Sequence, residues 1–181
     1  VITGRAFDNG IICSGEQFFT YPASDREAVL QAFKAHGAYF VASEEKARLL
    51  DTLFPEGKIN RSLVGQPVAK IAEAARIAVP EGTRVIVAEA EGAGHADRIC
   101  KEKMFPVMGC LGYDNFEEAL RIAKTNLSME GNGHTAGIHS NDQANIIKAG
   151  TELSVSRLIV NAPCATTAGG SIQNGLPVTN T

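Results

Sequence analysis

The chain has 181 residues, a formal net charge of −3, 44% hydrophobic residues and 20% charged residues, the proportions of an ordinary globular domain. No basic run supports binding to nucleic acid or an anionic membrane, and no apolar stretch approaches the roughly 18–20 residues that cross a bilayer. The four cysteines, Cys13, Cys100, Cys110 and Cys164, form no CxxC pair and no His/Cys cluster at zinc spacing, so no metal and no disulfide scaffold is expected and a reducing cytoplasm is the simplest compartment.

The first stretch with chemical content is "FDNGIICSGEQFF", residues 7–19, where two glycines, an asparagine and acidic residues surround Cys13. Residues 16–21 read as a strand. Residues 24–37 read as a helix with Ser24 and Glu27 at capping-box spacing, a buried side of Ala28, Leu30, Phe33 and Ala35, and Gly37 as the stop. "AYFVA" is a second strand, "SEEKARLLDTLF" a helix ended by Pro55, and "PVAKIAEAARIA" a helix with Pro67 in its first turn. "TRVIVAEA" and "FPVMGCLGY" are strands, followed by a helix over residues 114–126 in which Asp114 and Glu117 repeat the capping spacing. "HTAGIHS" reads as a strand, "NDQANIIKAG" as a helix and "SRLIVN" as a last strand, with Gly/Ser/Thr/Asn-rich loop beyond Pro163. Strand and helix patterns alternate almost throughout, which predicts an α/β fold of three layers, a largely parallel sheet flanked by helices. In a doubly wound sheet functional groups gather at the carboxyl ends of strands, which points to the loops around "EGAGH", "EGNGH" and "NAPCATTAGG".

Cys13 has the setting of a presented thiol. Asn9-Gly10 and Ser14-Gly15 let backbone approach closely and supply N–H donors for a thiolate or an oxyanion. A structural cysteine beside a turn is the competing reading. Cys110 lies in an apolar strand and reads as core, Cys100 ends a helical segment, and Cys164 sits in a loop. His134, between glycines and ahead of a strand, is placed to act as acid or base, or is a surface-loop histidine. His139 reads as a packing or supporting group, His36 as a helix cap, and His95 stays ambiguous. Glu102, ahead of a Pro-Val that starts a strand, is a ribose-diol acceptor or a solvated helix-end charge. "EGAGHAD" and "GNGHTAG" lack the full dinucleotide fingerprint.

Together "FDNGIICSGEQ", "EKMFPVMG" and "GNGHTAGIHSND" resemble, in order and separation, the catalytic domain of the aldehyde dehydrogenase superfamily, in particular its CoA-acylating branch. The resemblance runs over essentially all of residues 1–181. It implies that Cys13 is the thiol that attacks an aldehyde, that Glu102 holds the nicotinamide ribose, and that His134 assists proton transfer or CoA attack. It implies NAD or NADP as cofactor, CoA as co-substrate, a short-chain aldehyde as substrate, and a homo-oligomeric, cytoplasmic parent, in some members enclosed in a bacterial microcompartment. The start at "VITGRAF" and the end at "GLPVTNT" fit an excised catalytic domain whose cofactor-binding domain is not in this chain, and the isolated piece is then expected to be inactive in aldehyde turnover, because in the family the nicotinamide sits between the two domains. A hydrolytic dehydrogenase, a glutamyl-phosphate-type reductase and a catalytically silent assembly module are the alternatives.

Overall fold

The computed structural model describes residues 1–167. Four strands, β1 (Phe18–Pro22), β2 (Ala38–Phe40), β3 (Val85–Glu89) and β4 (Val107–Tyr113), form one sheet in the order β1-β4-β3-β2. Every neighbouring pair in it is parallel, with Phe18 opposite Gly109, Val87 opposite Met108 and Tyr39 opposite Ile86. Two further strands, β5 (Thr135–Ile138) and β6 (Arg157–Val160), pair in parallel as a second sheet.

The β3 run Val85-Ile86-Val87-Ala88 is 0% exposed throughout, as expected of a parallel strand covered on both faces. Because successive side chains alternate, the run divides between two cores. Ile86 and Ala88 pack with Leu49 and Leu53 of α3 (Ser43–Leu53) and Ile71 of α4 (Val68–Ala75). Val85 and Val87 pack with Ile2 of α1 (Ile2–Ala6) and Leu30 of α2 (Arg26–Ala35). This is the expected three-layer α/β architecture.

Local details differ from expectation in instructive ways. The Ser24–Glu27 box does not form: Ser24 Oγ donates to Asp25, α2 begins only at Arg26, and Ala28 and Ala35 are exposed, leaving Leu30 and Phe33 to face inward. In α5 (Phe116–Glu130) the box is shifted by one residue, since Asn115 accepts from the Glu118 N–H and Glu118 accepts from the Asp114 N–H. That helix also runs on to Glu130, because Leu127 and Met129 continue the apolar period of Leu120 and Ile122. Helix α4 stops at Ala75, short of Ala78, where Arg76 turns left-handed at φ 56°. Pro67 caps it rather than opening its first turn. After α6 (Gln143–Glu152) and β6, a short α7 (Cys164–Thr167) replaces the first part of the expected terminal loop. The rest of that expected loop, including the end of "NAPCATTAGG", lies outside the described residues.

Of the three loops expected at carboxyl ends of strands, "EGAGH" follows β3 and "NAPCATTAGG" begins after β6, whereas "EGNGH" links α5 to β5. Cys13 leads into β1, Glu102 into β4 and His134 into β5, so each stands on a connection that enters a strand. The β3–β4 connection explains this for Glu102: leaving the carboxyl end of β3, it turns back through residues 90–106 to the amino end of β4. Asp97 holds that return path, accepting from the Glu91 and Ile99 N–H groups at 3.0 Å each and pairing with Lys46 at 2.5 Å.

Candidate active site

The thiol-bearing turn starts from α1. Three successive residues, Asp8 (φ 48°), Asn9 (φ 49°) and Gly10 (φ 77°), are left-handed. Asp and Asn tolerate that region through their short polar side chains, and Gly adopts it without strain. Gly10 is also required sterically, because a Cβ there would overlap the Phe105 carbonyl and the Arg5 guanidinium. The chain then folds back with Ile11 N–H on Asp8 O at 3.1 Å and Gly15 N–H on Ile12 O at 3.0 Å. Cys13 sits exposed within this last turn. The Gly15 N–H is therefore spent inside the turn and is no oxyanion donor. No hydrogen bond among the described residues uses the N–H groups of Cys13 and Ser14.

The other thiols are buried. Burial pushes Cys110 and Cys164 up to about 12 and raises Cys100, which keeps all three protonated at neutral pH. Cys110 is the core residue expected, whereas Cys164 is at the start of α7 rather than in a loop.

Glu102 follows the 3-10 turn Arg98–Cys100. Its N–H donates to Glu130 Oε2 at the end of α5 at 2.5 Å, while its own carboxylate accepts no hydrogen bond among the described residues. Next to it Lys103 points inward and is 0% exposed. Its Nζ donates to Ile99 O and Lys101 O, both at 2.6 Å, and its N–H donates to Gln17 Oε1 at 2.9 Å. Burial first, and the Arg5 charge second, lower its pKa to about 7. A neutral amine has two N–H bonds, and both are matched here by carbonyls.

Arg5, also 0% exposed, sends its guanidinium to backbone carbonyls: Nε to Phe105 O at 2.8 Å, and Nη2 to Lys103 O at 2.8 Å and to Gly10 O. On the far side of the turn, Glu16 Oε1 accepts from the Cys164 N–H at 2.9 Å. Arg5, Glu16, Gln17 and Lys103 were not singled out from sequence. An arginine in a short apolar run, "VITGRAF", was the one available signal.

His134 closes the third side. Its carbonyl accepts from Ser156 N–H at 3.0 Å and Ser156 Oγ at 2.8 Å, which fixes the backbone at the mouth of β5. Nδ1 lies 3.1 Å from Thr135 Oγ1, and Nε2 has no hydrogen bond among the described residues. Cys13, Glu102 and His134 all line one cleft of about 640 Å³, together with Glu16, Glu130 and His139. Burial lowers the pKa of His139. His36 caps α2 as expected, and His95 is exposed on a 3-10 turn.

The chain is 54% identical, over its whole length, to an acetylating succinate-semialdehyde dehydrogenase of Clostridium kluyveri, of which it spans 40%. This chain belongs to the aldehyde dehydrogenase superfamily. It is 30% identical over 96% of its length to a bifunctional aldehyde-alcohol dehydrogenase of Escherichia coli, of which it spans 20%. Among solved structures, a probable aldehyde dehydrogenase of Listeria monocytogenes superposes with a TM-score of 0.90 at 34% identity, over 94% of this chain and 38% of that one. An acetylating aldehyde dehydrogenase of Geobacillus thermoglucosidasius gives 0.87 at 33% identity, over 91% of this chain and 36% of that one. No family model matches the chain. Two of these four relatives, from Clostridium kluyveri and Geobacillus thermoglucosidasius, are acetylating enzymes by name, and the chain corresponds to well under half of each of the four.

Proposed function

We propose that this chain is the thiol-bearing catalytic part of an NAD(P)-dependent, CoA-acylating aldehyde dehydrogenase acting on a short-chain aldehyde. The reading is carried by one observation: residues from three distant segments, Cys13, Glu102 and His134, line a single cleft. The 54% identity to an acetylating dehydrogenase supports the same chemistry.

In this reading Cys13 Sγ forms a bond to the aldehyde carbon, and the carbonyl oxygen takes up the negative charge between the Cys13 and Ser14 N–H groups. A nicotinamide, when bound, supplies the hydride acceptor that turns this adduct into a thioester. Glu102 fits its ribose, since both carboxylate oxygens have free acceptor capacity on the cleft. His134 Nε2 takes the proton of the CoA thiol, whose sulfur attacks the thioester carbonyl and expels Cys13 as thiolate. This step yields acyl-CoA and returns Cys13 as the thiolate that attacks the next aldehyde, while His134 releases its proton to water.

The last step can be run backwards on the chain as it stands. Incubated with acetyl-CoA or succinyl-CoA, Cys13 should gain one acyl group by mass spectrometry while an equal amount of free CoA thiol appears. Cys13→Ala should give neither. Transfer that persists in the alanine variant, or is spread over Cys100, Cys110 and Cys164, refutes the reading. In a protein that also carries the cofactor domain, NADH formation should depend on CoA.

A further inference from the structure

We propose that Arg5 is a positioning residue that sets the thiol turn against the neighbouring segment that carries Glu102. The proposal rests on the reading of Cys13 as the nucleophile. Three of its hydrogen bonds go to carbonyls, and these lie on two separate pieces of backbone. Gly10 stands on the thiol turn, three residues ahead of Cys13. Lys103 and Phe105 lie in the segment that runs from Glu102 into β4. One rigid, planar guanidinium therefore ties both together, and its five donors in a fixed fork suit several acceptors at defined angles.

The surroundings are built around this contact. The left-handed run Asp8-Asn9-Gly10 turns the Gly10 carbonyl inward, and the lack of a Cβ at Gly10 lets the backbone close on Arg5 and Phe105. Gln17, beyond the thiol, bonds Lys103 N–H, so the turn is fastened to the same segment at both ends. Such an arrangement is costly. The guanidinium is fully buried, no carboxylate lies within ion-pair distance of it among the described residues, and its Nη1 has no partner. Burial lowers its pKa to about 10, which still leaves it charged at neutral pH. A buried cation devoted to backbone carbonyls of two adjoining segments, both of which carry residues of the cleft, is a device for fixing geometry. A methionine of similar length would fill the same space at lower cost in desolvation.

The test compares parent, Arg5→Met and Arg5→Lys in two reactions of the 181-residue chain. One is acyl transfer from acetyl-CoA to Cys13, which needs the thiol aligned with its oxyanion donors and with His134. The other is alkylation of Cys13 by iodoacetamide, which needs only access. Arg5→Met should slow acyl transfer by roughly ten- to a hundredfold, the scale of a small misplacement of reacting groups. Alkylation of Cys13 should change far less, and Cys100, Cys110 and Cys164 should remain protected. Arg5→Lys, able to reach only part of the carbonyl set, should recover part of the rate. Equal acyl transfer in parent and Arg5→Met overturns the proposal, as does a loss in which both reactions fall together. If Arg5→Met exposes the buried thiols and so fails to fold, Arg5→Lys decides alone: a folded lysine variant with parental acyl transfer overturns it. Absence of acyl transfer in the parent refutes the functional reading instead, a different outcome from any of these.

Discussion

Replacing Lys103 by methionine should change how stability depends on pH, because a buried amine titrates at different values in the folded and unfolded chain. In the native protein its pKa is about 7, lowered by burial and then by Arg5. In the unfolded chain a lysine titrates near 10.4. Between these values the unfolded chain holds a proton that the native protein lacks, so native stability rises with pH across that window by about 1.4 kcal/mol per pH unit. Below pH about 7 both states are protonated, and the native state bears the full cost of a buried ammonium. Lys103→Met removes this titration and also leaves Ile99 O and Lys101 O without their donor. The variant should therefore be least harmful on the acid side, and its deficit should grow by roughly 2 kcal/mol over the two pH units above neutrality. With no tryptophan in the chain, urea unfolding followed by far-UV circular dichroism at a series of pH values is the suitable assay. Parent and variant curves that stay parallel in pH would refute the reasoning, since they would mean that Lys103 titrates alike in both states.

Gly10→Ala should destabilise the chain by about 2 kcal/mol or more, through the left-handed backbone and the overlap with Phe105 O and Arg5, measurable as a lower urea midpoint. Asp97→Ala should cost about 3 kcal/mol, because it leaves Lys46 only the Glu91 carboxylate at 4.0 Å and leaves the Glu91 and Ile99 N–H groups without their acceptor. Burial alone would raise the Asp97 pKa, but the Ile99 N–H, Lys46 and the Glu91 N–H outweigh it and hold it below the usual range. Its stabilisation is thus present above about pH 4 and lost as pH falls through the lower folded value, so parent and variant should converge in strong acid. His134→Ala should slow acyl exchange between CoA and Cys13 by roughly a hundredfold with little effect on Cys13 alkylation. Equal exchange rates would remove His134 from the proton-transfer role.

The layers of the fold were legible because they rest on periodicity. The segment "TRVIVAEA" reads as a strand and "SEEKARLLDTLF" as a helix before any coordinate is known, whereas the covering of both faces of the run 85–88 is visible only in the fold. Capping was less legible. Both Asp114 and Asn115 have an acidic residue three positions later, and only the trajectory of the chain leaving β4 selects the second pair. The thiol turn was legible in its outline from Asn9-Gly10 and Ser14-Gly15, yet the assignment of donors was not, since the Gly15 N–H closes the turn on Ile12. Least legible were Arg5 and Lys103. In sequence a basic residue beside a glutamate reads as a solvated charge, and only the fold reveals that both point inward onto carbonyls.

The left-handed run ahead of the thiol also bears on how this protein ages. Asn9 is exposed and is followed by a glycine, so no side chain shields the Gly10 amide from reaction with the Asn9 carboxamide. Deamidation through that ring, one route by which asparagine makes proteins thermolabile, ends largely in a backbone lengthened by one methylene. Lengthening here would move Gly10 out of the narrow gap between Arg5 and Phe105 while the two cores stayed intact. In the proposed function, stored samples would then lose acyl transfer to Cys13 before they lose structure, and Asn9 is the residue whose chemical age dates them.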